Sequence, residues 1–242
     1  MNSSEYANLE QVESKHWYYA GKRELVLRWL RRVKRDAPGT RLLDCGAGTG
    51  RFAEEMRTCG LDVFVLDDHE ESLAMLRRKF PAERVLALER EGIPLPASSV
   101  DVVTALDVLE HIGPDADALK GMWRVLKPGG VLIATVPAGM ELWSDWDVAL
   151  QHHRRYDRCS LAALFNDQDW ELLYLNYTNV AVYPLVWAVR FWQRWRKPVS
   201  RAEDRVPPAP INALLRRVFV WTGLWRLPWP RGVSLIVLAV RR

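Results

Sequence analysis

The sequence predicts an α/β protein built on a mainly parallel sheet. Short runs such as "RLLD" (41–44), "DVFVLD" (62–67) and "VDVVTAL" (100–106) are almost continuously apolar, as strands are when helices cover both faces of a sheet. Segments of helical periodicity separate these runs, so strand and helix alternate about every 20–25 residues. The first run ends in a glycine-rich turn that opens a helix, and ligands of open α/β sheets bind beyond such strand ends.

The elements follow in order. Residues 20–35 place Leu25, Trp29, Leu30 and Val33 at helical spacing, and "APG" at 37–39 stops that helix. After the strand at 41–44, residues 51–60 form a helix that ends at Gly60. A strand at 62–67, a helix at 70–80, strands at 84–88 and 100–106, a helix at 117–130 with a glycine stop and a fifth strand at 131–137 continue the alternation. The rhythm then changes. Residues 138–157 read as loop or short helix, 160–167 as a helix with Ser160 as N-cap, 170–178 as a sixth strand and 232–240 as the last. Between the last two strands lie two apolar, aromatic and basic stretches, 180–195 and 211–225, joined by a polar, proline-containing link.

With 242 residues, 49% hydrophobic and 26% charged, the composition is that of a globular domain large enough to bury a core. Cys45, Cys59 and Cys159 share no metal-ligand spacing, and an odd count suits a reducing compartment. The N-terminus lacks the charged and apolar regions of a signal peptide, so a cytoplasmic protein is expected. Residues 180–242 carry twelve Arg and Lys against two acids, a net +10 in a chain of net +4 that also holds six of its twelve tryptophans there. This end reads either as a helical cap packed on the domain or as a peripheral membrane contact, with Arg190, Arg194 and Arg196 beside Trp187, Trp192 and Trp195. Its longest apolar run is ten residues, against the roughly 20 needed to span a bilayer.

The strongest motif is "LLDCGAGTG" (42–50), in which an acid and Gly46, Gly48 and Gly50 lead into a helix. A dinucleotide fold would place its third glycine at position 51, which is Arg51, so a nicotinamide oxidoreductase is disfavoured. Asp44 would repel a close pyrophosphate and suits a cationic ligand. Asp67 ends the second strand, where a carboxylate can accept ribose hydroxyls, and Glu89 follows the third.

"LLDCGAGTG", "VFVLDD", "IPLPASSVDVVTALDVLEHI" and "MWRVLKPGGVLIATVP" together resemble class I S-adenosylmethionine-dependent methyltransferases over residues 41–137. The resemblance implies a Rossmann-like, seven-stranded sheet with an antiparallel last strand, helices on both faces and a helical insert before that strand. It implies S-adenosylmethionine as cofactor. Asp44, Cys45, Gly46, Ala47, Gly48 and Gly50 would flank its methionine end, and Asp67 would hold the ribose with Asp68 beside the adenine. Glu89 and Arg90 would meet the adenine edge, and Leu106 and Asp107 the sulfonium end; relatives commonly have Gly-Asp-Ala where this chain has Leu88-Glu89-Arg90. "ESKHWYYAGKRELV" resembles an N-terminal lid of a subgroup, with Tyr18, Tyr19 or Arg23 closing on the cofactor and Arg23 meeting its carboxylate. The expected organisation is a lid at 1–40, the cofactor-binding core at 41–178, an insert capping the acceptor at 179–230 and the last strand at 231–242.

Methyl transfer from sulfur needs a positioned nucleophile and, for a hydroxyl acceptor, a base. His111, and His152 or His153, lie in the loops after the fourth and fifth strands, where that base would sit. "DVLEHI" (107–112) resembles the E-x-x-E-H of certain metal-assisted RNA methyltransferases, but its first position is Asp and its spacing suits an ordinary turn, so no metal is expected. "LWSDWDVALQHHRRY" (142–156) resembles a subgroup pattern with H-x-R-R-Y, in which Gln151 replaces a glycine. The resemblance implies a small-molecule acceptor, secondary-metabolite or lipid-linked. His152 and Tyr156 are expected to face it, with His153, Arg154, Arg155 and Trp143 as its binding residues and one of the arginines structural. An RNA methyltransferase and a non-catalytic cofactor-binding subunit are the alternatives; no nucleic-acid module is legible in the sequence.

Overall fold

The computed structural model describes residues 10–166, 168–193 and 206–242. Seven strands form one sheet in the order β3-β2-β1-β4-β5-β7-β6. They are β1 (Arg41–Cys45), β2 (Asp62–Asp67), β3 (Val85–Ala87), β4 (Val100–Leu106), β5 (Leu126–Pro137), β6 (Trp170–Thr178) and β7 (Ser234–Arg241). β1 to β5 pair in parallel, whereas β7 runs antiparallel to both β5 and β6. The chain reverses its direction of strand addition between β1 and β4, which opens a crevice at their carboxyl ends.

The strands alternate their side chains between two cores. Leu43, Leu132, Ala134 and Leu235 pack on one face; Leu42, Val131, Ile133 and Ile236 pack on the other. Burying each of the larger ones contributes about 1.5–3 kcal/mol. Helices α1 (Trp17–Arg32), α2 (Arg51–Thr58), α3 (Glu70–Lys79) and α4 (Asp115–Val125) flank the parallel half. Short helices α5 (Asp145–Ala149) and α6 (Arg158–Ala162) fill the loop after β5. In the insert, α7 (Tyr183–Gln193) and α8 (Ala209–Gly223) are helical, as expected. No described helix is long and apolar enough to cross a membrane.

Three differences from the sequence reading have local causes. The helix expected to run to Gly130 stops at Val125, and β5 begins at Leu126, paired with Val100. Pro128 disfavours a helical residue before it and has no N–H to donate, so the chain turns extended early. Ser160 is not the N-cap of its helix. Asp157 caps it by accepting from the Ser160 amide at 2.7 Å, while the Ser160 hydroxyl accepts from the Asp157 amide at 2.9 Å. The helix expected as a lid is itself core: Leu25, Val26 and Leu30 are fully buried, and Trp29 Nε1 donates to the Gly223 carbonyl of α8. Only its first turns reach the crevice.

Candidate functional site

The glycine loop between β1 and α2 forms the floor of the crevice. Gly46 and Gly48 have φ of +65° and +55°, a region that side chains disfavour. A Cβ on Gly46 would also come within 2.6 Å of Val108, whereas one on Gly48 would meet nothing within 4 Å. The loop thus packs from below and faces open space above. Asp67, at the end of β2, ties the loop down. One of its oxygens accepts from the Gly48 amide at 2.9 Å, and the other from the amides of Asp68 and His69.

Asp44 is buried, and Thr104 Oγ1 donates to it at 2.7 Å. Burial raises its pKa to about 7, with the nearby Glu13 and Asp67 carboxylates adding to the shift against the Thr104 hydrogen bond. Glu13 arrives from a helical segment at 10–15 and accepts from Thr49 Oγ1 at 2.5 Å. Cys45 is buried beside Asp44, Ala47 is half-buried, and Asp68, Glu89 and Arg90 are exposed around the far end of the crevice.

At the near end, Asp107 follows β4 with φ of +58°. Thr135 holds it there, donating its hydroxyl to Oδ1 at 2.8 Å and accepting the Asp107 amide at its carbonyl at 2.9 Å. Lys22 Nζ donates to Asp107 Oδ2 at 2.5 Å, and the Tyr18 hydroxyl donates to the same oxygen at 3.2 Å. Burial works against the Lys22 charge, but the adjacent carboxylate outweighs it and holds the ammonium protonated. Burial and the Asp107 charge push Tyr18 up to about 12. The cation beside Asp107 is thus Lys22 rather than Arg23. Arg23 points away, bonded to Glu55 and to the Glu13 carbonyl, because consecutive helix residues diverge by about 100°. Tyr18, expected at the cofactor, and Lys22 stand four apart on one helix face, a spacing present in the sequence. Tyr19, beside Lys22, is half-buried; Leu106 is half-buried under the same end.

The third wall comes from the loops after β4 and β5. His152 Nδ1 lies 2.9 Å from Asp147 Oδ1, and Arg155 Nε donates to the same oxygen at 2.7 Å. Burial would raise Asp147, but the bonds from His152 and Arg155 hold it near 2, so it is a carboxylate that accepts Nδ1–H. With Nδ1 turned to Asp147, the ring's other nitrogen, Nε2, faces away from that carboxylate. Its ring meets His111 edge-to-face at 4.7 Å, and Glu110, His111 and His152 each bring a donor atom within 4.8 Å of the others. Desolvation and the neighbouring His152 push His111 down to about 4. Glu110 is fully buried with no hydrogen bond to either side-chain oxygen; burial and the Asp107 charge raise its pKa and favour the acid.

Several residues expected to face the acceptor are engaged elsewhere. Tyr156 is buried and donates its hydroxyl to Asp115 at 2.8 Å and to the Leu109 carbonyl. Arg154 bonds Asp115 and the Gly113 carbonyl, and Arg155 bonds Asp147 and the Ala138 carbonyl, so both arginines are structural where one was expected. Buried carboxylates at Asp115 and Asp147 require these partners. His153 is exposed, and Trp143 is half-buried at the end of the turn Met140–Leu142. Gln151 has φ of +59°, the backbone a glycine would take at that position.

The residues fit S-adenosylmethionine. Carboxylates of Asp44, Asp67 and Glu13 surround the glycine loop and suit its cationic end, Lys22 offers a partner for its carboxylate, and the open space above Gly48 leaves room for the chain between them.

The fold and this crevice define a class I methyltransferase architecture. Residues 43–134 match the methyltransferase domain family. A malonyl-[acyl-carrier protein] O-methyltransferase of Serratia marcescens is 32% identical over 154 residues, covering 59% of this chain and 60% of that protein. A demethylmenaquinone methyltransferase of Renibacterium salmoninarum is 38% identical over 110 residues, covering 44% and 46%. The chain thus spans less than two thirds of these relatives. A SAM-dependent methyltransferase structure from Thermotoga maritima superposes with a TM-score of 0.64 at 17% identity, covering 99% of this chain and 96% of that one. Residues 43–134 thus carry a methyltransferase domain, on a fold shared with the S-adenosylmethionine-dependent methyltransferase structure.

Proposed function

We propose that the protein transfers a methyl group from S-adenosylmethionine to a proton-bearing group of a small-molecule acceptor, secondary-metabolite or lipid-linked, and releases S-adenosylhomocysteine. The observation that carries this is the Asp147–His152 pair, set on the loop after β5 beside Glu110 and His111. Bound in the crevice, the cofactor supplies an electrophilic methyl on a cationic sulfur. Asp67 accepts the ribose hydroxyls, Asp68, Glu89 and Arg90 border the adenine, and Lys22 pairs with the methionine carboxylate. Tyr18 and Asp107 hold Lys22 in place. His152 takes the acceptor proton at Nε2, and Asp147 positions the ring and stabilises the imidazolium that forms. The half-buried Trp143 lines the acceptor side, and the buried Glu110 and Leu109 exclude water beneath it.

Two variants test the reading. Asp67→Ala is expected to weaken cofactor binding by about tenfold or more in a calorimetric titration, as loss of a charge-assisted hydrogen-bond acceptor does. An unchanged dissociation constant removes the ribose assignment. His152→Ala is expected to lower turnover about a hundredfold or more and spare cofactor affinity. Normal turnover in that variant rules His152 out as the base.

A further inference from the structure

Helix α7 departs from the carboxyl end of β6, the edge of the sheet that carries the crevice. β6 runs in the same direction as β5, because each is antiparallel to β7. At its first residue the Tyr183 hydroxyl donates to Glu141 at 3.1 Å, which fixes the helix to the turn after β5 on the acceptor side. Beyond that anchor α7 is scarcely covered. Leu185, Trp187, Val189 and Phe191 are exposed, Leu185 by 67%, and Trp187 and Phe191 stack at 5.5 Å. The single charged residue of the helix, Arg190, is buried. Of the residues singled out in the sequence, Trp187 and Trp192 are exposed, and Arg194, Trp195 and Arg196 lie outside the described residues.

The start of α8 lies at the same edge. Asn212 Oδ1 accepts from the Trp17 amide at 2.8 Å, one residue before the Tyr18 that reaches Asp107. There Ile211 and Leu214 are exposed, the latter by 61%, and the exposed Arg217 follows Leu214 by three positions on the same face. A water-facing helix carries polar residues on its outer side; these two carry leucine, tryptophan, phenylalanine and isoleucine around the mouth of a site. The residues from 180 to 242 hold twelve basic side chains against two acids; of those described, Arg216 and Arg231 pair with Glu24 and Glu141, and Arg217 is exposed beside Leu214. Apolar anchors with an excess of positive charge fit a surface that is apolar inside and anionic outside.

We propose that this edge docks on a bilayer containing anionic phospholipid, with α7 and the first turns of α8 lying in the interface. An eleven-residue α7 is too short to span the hydrocarbon and long enough to lie in its boundary. Docking turns the acceptor side of the crevice toward lipid. Insofar as it rests on the proposed methyl transfer, it assigns an acceptor drawn from the membrane; the docking itself is independent of that chemistry.

The test is flotation of the full chain with vesicles of phosphatidylcholine alone and of phosphatidylcholine mixed with phosphatidylglycerol. Wild type is expected to float with the mixed vesicles and lose that binding in high salt. Leu185→Ser combined with Trp187→Ser and Phe191→Ser is expected to weaken binding about tenfold or more, through loss of buried apolar area. Arg217→Glu is expected to weaken binding to the mixed vesicles alone. S-adenosylhomocysteine affinity, titrated on every variant, is expected to stay unchanged. This separates failure of docking from failure of the cofactor site. The proposal is overturned if wild type ignores the mixed vesicles, if the triple variant binds them as wild type does, or if light scattering shows a dimer that the triple variant dissolves, which would make a second copy the occupant.

Discussion

Asp147 Oδ1 receives both His152 Nδ1, at 2.9 Å, and Arg155 Nε, at 2.7 Å, so one buried carboxylate orients the imidazole and neutralises the guanidinium. The motif that brings two histidines and two arginines together is therefore mostly a scaffold for one ring. Its arginines hold Asp115 and Asp147, and its tyrosine holds Asp115.

Asp147 is accordingly a positioning residue, and the proposed base predicts how it behaves. Asp147→Asn is expected to lower kcat about a hundredfold with the cofactor dissociation constant unchanged. The double variant with His152→Ala is expected to lose no more than His152→Ala alone, because the two act as a unit. Stability falls as well, by about 3 kcal/mol, since Arg155 stays buried without its partner. Kinetics of the three variants, taken where chemical denaturation shows all are folded, provide the check. Additive losses would make Asp147 structural only.

The first turns of α1 give a second prediction. Lys22→Met is expected to weaken S-adenosylhomocysteine binding about tenfold or more, as loss of a charge-assisted hydrogen bond does. Arg23→Met, one residue on, is expected to change it less than about threefold, because its guanidinium lies against Glu55 of α2 and the Glu13 carbonyl, whereas Lys22 sits beside Asp107 at the end of β4. Fluorescence titration of both variants separates them. The reverse ranking would return the cofactor carboxylate to Arg23.

Asp44 makes the site sensitive to pH. Its pKa in the folded chain is about 7, above the unfolded value, so the folded state binds more protons between about pH 4 and 7. The cofactor-free protein is expected to lose stability from this group as pH rises through that window. A cationic ligand favours the ionised carboxyl, so cofactor affinity is expected to rise across the same range. Asp44→Asn is expected to flatten both trends. Melting curves and titrations between pH 5 and 8, about the range where an acid of this pKa changes charge, test it. Parallel pH profiles for variant and wild type would exclude Asp44 as their source.

Gln151 offers a prediction about backbone alone. At φ of +59° it bears a strain of about 1 kcal/mol that glycine would not. Gln151→Gly is expected to shift stability by less than about 1 kcal/mol, because the relief is offset by the flexibility glycine adds to the unfolded chain. Gln151→Val is expected to destabilise by more than that, since a β-branched residue resists this conformation. Urea denaturation of the pair decides it. Equal midpoints would mean that the backbone relaxes.

Much of this was legible because it is local. A run of apolar residues makes a strand, a glycine spacing makes a turn, and an acid at a strand end faces whatever binds there. On those grounds Asp44, Gly46, Gly48 and Asp67 were placed at one edge, and the structure brings them together. That Lys22 rather than Arg23 reaches Asp107 depends on the rotation of α1 against the sheet, which α8 helps set through Trp29 and Gly223. The roles of Tyr156, Arg154 and Arg155 were misjudged because their partners, Asp115 and Asp147, look like ordinary helix-capping acids until they are buried.

Sequence by itself determined the α/β class, the mainly parallel sheet and the glycine turn, because periodicity and glycine spacing are read along the chain, and the resemblance those motifs carry implied the cofactor. Tertiary structure alone decided which side chains face the crevice and which spend their charge inside the fold. Burial makes an unpaired charge costly, so arginines near a buried carboxylate go to it rather than to a ligand, and only the packing reveals which carboxylates are buried.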